Sequence, residues 1–273
     1  PELWILNRLQ IAIERVNKHL DNFNFNEAAK VIYEFTWSDY CDWYIEIAKT
    51  SFNINNESYT NTVKIISKYV LRNIIILLHP YAPFITEEIW SKIKKQGDSD
   101  LIIASWPSVD KKWINKSSDH EMEILKKLIS SVRTIRSQMN VPPNKLCNMI
   151  VKCNTKQKSI LNSYSLIIES LAKIDNIEMT EDAKKPSQSA TAIVDNMEIF
   201  IPLDGIIDFD IEKDRLQKRI NELKMHLVNV KKKLENKDFL NRAPENVIRH
   251  EKEKKENMIL ELDKITKNLE MIQ

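Results

Sequence analysis

Apolar residues alternate at spacings of four and three through the last quarter of the sequence, and this pattern restricts that stretch to very few folds. Such a seam is typical of a coiled coil, because it keeps one apolar edge of each helix facing a partner helix. Residues 236–243 interrupt the seam, and Pro244 suits the first position of a new helix. We therefore expect an antiparallel two-helix coiled-coil hairpin over residues 208–273, with arms of roughly 40 Å. The first seam comprises Leu216, Ile220, Leu223, Leu227, Val230 and Leu234, and the second comprises Ile248, Glu251, Lys255, Met258, Leu262, Ile265, Leu269 and Ile272.

Glycine is nearly absent from the sequence, with only Gly97 and Gly205 among 273 residues. Loops that bind dinucleotides or phosphates need several glycines at fixed spacings, so these nucleotide-binding motifs are excluded. Hairpin turns with positive φ also use glycine, which argues against an all-β fold. The fold class that we expect is mainly α.

Helical periodicity dominates the first half of the chain. Apolar stripes at helical spacing cover residues 3–20 and 24–49, a third helix is expected over 63–78, and a fourth follows a pair of prolines. These segments predict a helical bundle over residues 1–110.

Two further regions lie between the bundle and the hairpin. Residues 111–144 are expected to form a linker helix that ends before a double proline. Residues 145–207 alternate short strand-like segments with one helical segment, which predicts a small α/β module.

Charge is unevenly distributed along a chain whose formal net charge is only +2. Residues 1–110 hold 11 basic and 14 acidic side chains, whereas residues 212–273 hold 16 basic and 12 acidic ones. A cationic helical element favours a polyanionic partner over a membrane, and no apolar run reaches the length of a membrane span. Three scattered cysteines form neither a disulfide framework nor a zinc site. We therefore expect a cytoplasmic protein with reduced thiols and no metal.

Four segments carry a resemblance to a known family. Residues 79–90 read HPYAPFITEEIW and resemble the helix break in the anticodon-binding bundle of class I aminoacyl-tRNA synthetases. Residues 33–46 read YEFTWSDYCDWYIE and resemble the second bundle helix of the valyl-tRNA synthetase family. Residues 133–143 resemble the linker of that family, and residues 238–248 resemble the tip of its coiled-coil arm. The resemblance covers essentially the whole chain in the expected order.

The resemblance implies the C-terminal, tRNA-binding portion of a valyl-tRNA synthetase. The HIGH-type and KMSKS-type motifs with which the family grips ATP do not occur here, and the editing domain is missing as well. The implied portion is thus catalytically inactive, with no catalytic residue and no cofactor of its own. The whole enzyme would attach valine to tRNA(Val) using ATP with Mg²⁺. The implied partner is tRNA(Val), bound by a monomer with its bundle at the anticodon and its arm along the RNA backbone.

Two alternatives remain open at this point. The chain could be the equivalent region of another class I synthetase, although the isoleucine enzyme would be expected to end in a Cys-rich zinc module. It could also be a non-catalytic helical scaffold that uses the hairpin to bind proteins.

The first helix supplies the candidate anticodon contacts. On a helical wheel Trp4, Arg8, Ile11, Arg15 and Lys18 lie opposite the apolar stripe, and an exposed ring between cations suits unpaired RNA. The alternative is that this face packs against another part of the protein.

The linker and the hairpin supply the remaining candidate RNA contacts. Arg133 and Arg136 lie one turn apart on the linker helix, where both can reach one phosphate or pair with carboxylates. The basic residues of the hairpin could contact the tRNA backbone without reading its sequence, although charge on a coiled coil is usually a solvated face. These hairpin candidates are Lys218, Arg219, Lys231, Lys232, Lys233, Lys237, Arg242 and Arg249.

The second helix is rich in aromatic and acidic residues, for which structural roles are expected. Its aromatic residues are interpreted mainly as core and interface packing. The carboxylates near them lack a nucleophile or a metal partner and are interpreted as a solvated or salt-bridged helix face. The aromatic residues in question are Trp37, Tyr40, Trp43 and Tyr44, and the acidic ones are Asp39, Asp42 and Glu46.

Overall fold

The structure is a computed structural model that describes residues 1–54, 56–236 and 244–271. The chain divides into two compact units, the first formed by Pro1–Lys127 with Tyr164–Leu171 and the second by Leu128–Ser163 with Ala172–Gln273. Helices predominate, as expected, and a single small sheet occurs within the described residues. None of the helices over these residues is long and apolar enough to cross a membrane.

The first unit is a helical bundle. Its helices are α1 (Glu2–Asp21), α2 (Phe25–Glu34), α3 (Glu46–Thr50), α4 (Glu57–Leu78) and α5 (Pro83–Ile93). The long helix α6 (Lys116–Gln138) follows after two short 3₁₀ segments, Leu101–Ile103 and Lys111–Trp113, and belongs to this unit as far as Lys127.

The helix termini follow the local sequence signals. Pro83 opens α5, where the missing N–H costs nothing, and His79 caps the end of α4. Helix α4 begins at Glu57 rather than at residue 63, because the Asn56 side chain accepts a hydrogen bond from the backbone N–H of Tyr59.

The second bundle helix is not a regular α-helix throughout. A π-helical stretch, Phe35–Ile45, separates α2 from α3 without interrupting the helical path. A π-helix is rare and is frequently found at functional sites. Nothing in the apolar spacing of this segment predicted it.

The core of the bundle lies along α1, the π-helical stretch and α4. Its largest fully buried side chains include Trp4, Tyr44 and Trp90. The Trp90 indole N–H donates to the backbone carbonyl of Ser99, and the Arg72 guanidinium lies over its ring at 4.3 Å.

The second unit contains a four-stranded sheet. Its elements are β1 (Cys147–Lys152), α7 (Thr155–Ser163), β2 (Ile174–Thr180), β3 (Ser189–Val194) and β4 (Met197–Pro202). The strand order is β2-β1-β4-β3, in which β1 and β2 are parallel and the other pairs are antiparallel. The one helical segment expected within residues 145–207 is broken at Tyr164. Its second part, α8 (Ser165–Ala172), belongs to the first unit as far as Leu171.

The coiled-coil hairpin consists of α9 (Phe209–Glu235) and α10 (Glu245–Met271). The helices are antiparallel: Arg219 pairs with Glu261, and Lys233, further along α9, pairs with Glu251, nearer the start of α10. The seam predicted on α9 is buried from Leu216 to Val230. The buried Glu251 accepts from Lys233 Nζ at 3.2 Å, which fixes the register of the two helices as a polar seam residue can.

Candidate nucleic-acid interface

Trp4 is not available to RNA, and the expectation that it stacks on a base is wrong. Its side chain is 1% exposed. The Lys126 ammonium of α6 lies 5.2 Å from the centre of its ring. The helical wheel predicted an exposed Trp4 because the prediction allowed for only one buried face on α1. The neighbouring α6 covers a second face of that helix near its N-terminus.

Arg8 remains partly exposed at the edge of this buried region. Its Nε–H donates to Asp39 Oδ2 at 2.7 Å, while its terminal nitrogens make no hydrogen bond within the described residues. Asp39 is buried, and Lys126 Nζ lies 4.0 Å from its other oxygen. Asp39 is thus a salt-bridged carboxylate. The sequence alone had left open whether the acidic residues of this helix are solvated or salt-bridged. Its pairing orients Arg8 and leaves that guanidinium accessible.

A polar cavity lies between α1 and the second bundle helix. Arg8, Ile11 and Arg15 line it from one side, and Glu34 and Ser38 line it from the other, around a volume of about 380 Å³. Arg15 is exposed and makes no ion pair in the part of the chain that the structure describes. The cavity therefore holds two guanidiniums, a serine hydroxyl and the Glu34 carboxylate.

An exposed aromatic pair on the second bundle helix was missed by the sequence interpretation. Tyr33 and Trp37 stack with parallel rings, 6.4 Å between centroids, and both are more than half exposed. Each directly precedes a cavity residue, since Glu34 follows Tyr33 and Ser38 follows Trp37. The i, i+4 spacing of two large aromatic residues was the available signal. By contrast, Tyr40 and Tyr44 are core residues, as expected.

Four residues of α1 form what we call the α1 strip: Arg8, Ile11, Arg15 and Lys18. They follow one another at spacings of three and four and so share one side of the helix. Lys18 is exposed and unpaired within the described residues. The strip and the cavity share Arg8, Ile11 and Arg15, and together with the aromatic pair they are the candidate surface of the first unit.

Arg136 is buried, and the structure contradicts the expectation that it contacts RNA. Its side chain is 7% exposed. Its guanidinium donates to the backbone carbonyls of Pro142, Lys145 and Lys173 at 3.2, 2.8 and 3.3 Å. Pro142 and Lys145 lie in the turn after α6, and Lys173 lies just before β2, so carbonyls from two loops converge on Arg136 and need a donor.

The Arg136 guanidinium also contacts a thiol. Its Nη1 nitrogen lies 3.0 Å from Cys147 Sγ. Burial raises the pKa of this thiol, and the guanidinium partly opposes that effect. Arg133, one turn earlier, is exposed.

The hairpin candidates fall into three groups. Lys218, Lys231 and Lys232 are exposed and make no ion pair within the described residues. The other three described candidates pair with acidic side chains: Arg219 with Glu261 and Glu222, Lys233 with Glu251, and Arg249 with Glu253. Lys237 and Arg242 lie outside the described residues.

The ATP and Mg²⁺ that the family resemblance implies for a whole synthetase do not fit this chain. Gly97 and Gly205 each occupy an isolated turn with positive φ, so neither forms a phosphate-binding loop. No group of three acidic, histidine or cysteine side chains that could hold a metal is found among the described residues.

Comparison with known proteins gives two family matches that together cover most of the chain. Residues 2–151 match the family described as anticodon-binding domain of tRNA ligase. Residues 208–273 match the family described as valyl tRNA synthetase tRNA binding arm.

Curated relatives agree with these matches. Valine–tRNA ligase of Bacillus subtilis is 36% identical over 267 residues, which cover 97% of this chain and 30% of that protein. The corresponding ligase of Listeria monocytogenes is 36% identical over 271 residues, covering 99% and 30%. That of Thermotoga maritima is 35% identical over 271 residues, covering 98% and 30%. The chain thus spans about 30% of the length of these curated relatives.

The first family match alone covers more than half of the 273 residues. The chain therefore belongs to the anticodon-binding family of tRNA ligases, in the form that also carries the valyl-tRNA synthetase tRNA-binding arm.

Proposed function

We propose that this chain is the tRNA-binding part of a valine–tRNA ligase and that the α1 strip holds the unpaired bases of the anticodon loop. The observation that carries the proposal is the cavity that Arg8 and Arg15 line, together with the exposed Tyr33–Trp37 pair on the helix that forms its other wall. Cations next to an exposed aromatic face are the combination that single-stranded RNA requires.

Each component of this surface has a separate task. The exposed Trp37 ring offers a platform on which a base can stack, a contact worth about 1–3 kcal/mol. Arg15 and Lys18 can neutralise phosphates on either side of that base. Arg8 is oriented by Asp39 before any ligand arrives, so little side-chain entropy would be lost on binding.

The hairpin would contact the RNA backbone. Lys218, Lys231 and Lys232 have no intramolecular ion pair to give up within the described residues, so their binding to phosphate costs the least. Arg219 and Arg249 would exchange exposed ion pairs, which contribute little, for phosphate contacts. Lys233 would have to leave the buried Glu251 carboxylate, so its contact with phosphate costs more. Lys237 and Arg242 stay predicted contacts at the tip, and Arg133 stays a predicted contact on α6.

The activity of a whole enzyme is part of the same proposal. The relatives are named valine–tRNA ligases, which supports tRNA(Val) as the partner and ATP with Mg²⁺ as requirements of domains other than those present here. A cytoplasmic location, a monomeric state and the four-part division at residues 110, 144 and 207 stay predictions. The arm match favours the valine family over the isoleucine and leucine families.

Filter binding of the full chain to a valine tRNA transcript at several salt concentrations tests this function. We expect affinity to fall steeply with salt, because phosphate contacts release counterions. We also expect tighter binding to valine tRNA than to a tRNA with a different anticodon. If no tRNA binds even at low salt, a protein-binding scaffold becomes the better explanation.

The variants Arg15→Ala and Lys18→Ala locate the interface within that assay. Each should weaken binding by at least about threefold at low salt and lower the salt slope by about one. Lys92→Ala is the matched control, because Lys92 is an exposed bundle lysine whose ammonium pairs with Glu88 of its own helix. An equal effect of all three variants would show that binding follows net charge and not the α1 strip.

A further inference from the structure

The turn between α1 and α2 holds an aromatic residue in a conformation that is costly for it. Phe23 has a φ of 58° and a side chain 79% exposed. Glycine usually occupies this left-handed position after a helix, because a side chain there is strained. An exposed phenylalanine regains little of that cost by packing, although its ring meets Phe25 edge-on at 6.3 Å between centroids.

The last residue of α1, Asp21, also makes an unfavourable interaction with its own helix. Asp21 places a carboxylate at the negative end of the helix dipole. It is exposed and makes no ion pair or side-chain hydrogen bond within the described residues. Local costs of this kind cluster at functional sites, which directs attention to the surface beside this turn.

Asp21 borders the most voluminous cavity described on the first unit. This cavity has a volume of about 730 Å³, and its walls include Asp21, Phe25, Tyr81 and Trp106. All three aromatic residues are exposed to solvent by more than a third. The volume lies within the range of sites for small organic ligands.

Hydrogen bonds to other segments hold the aromatic walls in place. The Trp106 indole N–H donates to Asn17 Oδ1 at 2.7 Å, and the Tyr81 hydroxyl donates to the backbone carbonyl of Phe25 at 2.9 Å. The walls are therefore formed before a ligand enters. Within the cavity, Asp21 supplies the only charged side chain among the described lining residues, and it can only accept hydrogen bonds when ionised.

We propose that this cavity, which we call the α1-end pocket, takes one unpaired nucleobase and that Asp21 selects a base bearing an exocyclic amino group. The proposal rests on the proposed function and deepens it, because Lys18 of the α1 strip lies one turn before Asp21 and can hold the adjoining phosphate. Aromatic walls accept any base by stacking. The carboxylate provides the discrimination.

The selection follows from the edges of the bases. An aspartate accepts a hydrogen bond from the amino group of cytosine. Uracil presents a single ring N–H between two carbonyl oxygens. Those two oxygens repel a carboxylate. A protein segment with apolar side chains would also fit the walls, but it would leave the Asp21 charge unpaired at the interface, which is unfavourable.

Fluorescence anisotropy of the full chain with labelled hexacytidylate and hexauridylate tests the assignment. We expect hexacytidylate to bind at least about fivefold more tightly, the lower limit for one good base contact. Asp21→Asn should bring the ratio close to one, mainly by improving hexauridylate binding, because an amide can both donate and accept. Glu14→Gln is the matched control, since Glu14 is an exposed carboxylate on α1 outside the cavity lining, and it should leave the ratio unchanged.

Parallel measurements with a valine anticodon stem-loop separate this inference from the proposed function. If the stem-loop binds in a manner that depends on Arg15, but Asp21→Asn leaves the cytosine preference intact, the assignment of Asp21 is wrong and the function stands. If neither the stem-loop nor the oligonucleotides bind at low salt, the proposed function and the assignment of Asp21 are both wrong. Displacement of hexacytidylate by an apolar peptide with equal affinity in wild type and Asp21→Asn would instead indicate a protein-binding pocket.

Discussion

The Lys126 ammonium lies 5.2 Å from the centre of the Trp4 ring and 2.8 Å from the Glu123 carboxylate on its own helix. Helix α6 thereby covers the N-terminal part of α1 with a cation held in place over an aromatic face. The proposed RNA-binding surface begins beyond this contact, at Arg8. The buried tryptophan thus marks one boundary of the α1 strip.

The substitution Trp4→Ala should destabilise the bundle and not act on RNA contacts directly. Removing a fully buried indole leaves a large cavity and is expected to cost about 3–5 kcal/mol in the free energy of unfolding, measured by urea denaturation followed by circular dichroism. Trp37→Ala is the control, because its ring is largely exposed, and it should cost under about 1 kcal/mol while weakening RNA binding. Equal stability of the two variants would contradict the burial of Trp4.

Arg136→Met should destabilise the second unit. The substitution keeps much of the aliphatic volume but leaves the carbonyls of Pro142, Lys145 and Lys173 without their buried donor. We expect a loss of at least about 3 kcal/mol in the free energy of unfolding, since each unsatisfied group costs about 1–3 kcal/mol. Arg133→Met, on the exposed side of the same helix, should cost less than about 1 kcal/mol. Nearly equal losses would show that Arg136 is not the structural donor.

Burial should make the bundle sensitive to alkaline pH. It raises the pKa of Tyr40 from 10.0 to about 12, and the Cys41 charge adds to the effect. The unfolded chain therefore releases this proton first, so the stability that Tyr40 contributes is intact below pH 10 and is lost as the pH rises from 10 to 12. The loss should reach about 3 kcal/mol.

The variant Tyr40→Phe isolates this contribution. It removes the hydroxyl that donates to the Ser67 carbonyl at 3.0 Å, so the variant should be slightly less stable than wild type at pH 8. Between pH 10 and 12 its stability should decline less than that of wild type in parallel urea titrations. Identical declines would show that Tyr40 ionises in the folded chain as readily as in the unfolded one.

The exposed lysines on α9 should strengthen binding to any tRNA without determining which tRNA is preferred. Lys231→Ala combined with Lys232→Ala should lower the salt slope for valine tRNA by about two and should weaken binding to other tRNAs to the same degree. Lys267→Ala serves as the control because that lysine already pairs with Asp263 on α10. A loss of valine tRNA preference in the double variant would contradict a backbone contact.

The sequence predicted those features that depend on local periodicity. The 4-3-4-3 seam of α9 was sufficient to predict a coiled-coil helix there, because a coiled coil is specified by its repeat. The proline pair located the break between α4 and α5 for an equally local reason. The sequence could not show that α6 would pack over Trp4, or that the carbonyls of a loop would converge on Arg136, because both depend on contacts distant along the chain.

The candidate site was predicted only in part for the same reason. Arg15 and Lys18 lie on the exposed side of α1, as the helical wheel indicated. Trp37 was interpreted mainly as packing, but its ring is largely exposed; it lies in the π-helical stretch Phe35–Ile45, where a wheel drawn for an α-helix does not apply. The strained Phe23 gave no signal, since a backbone angle is not visible in composition or spacing.

A cycle that combines protein and RNA substitutions tests the central claim most directly. The affinities of wild type and Arg15→Ala would be measured for valine tRNA with its natural anticodon and with each anticodon base replaced in turn. If the α1 strip holds the anticodon, the two changes should be coupled by at least about 1 kcal/mol for one or more bases. Strictly additive losses at every anticodon position would contradict the assignment of the anticodon to this strip.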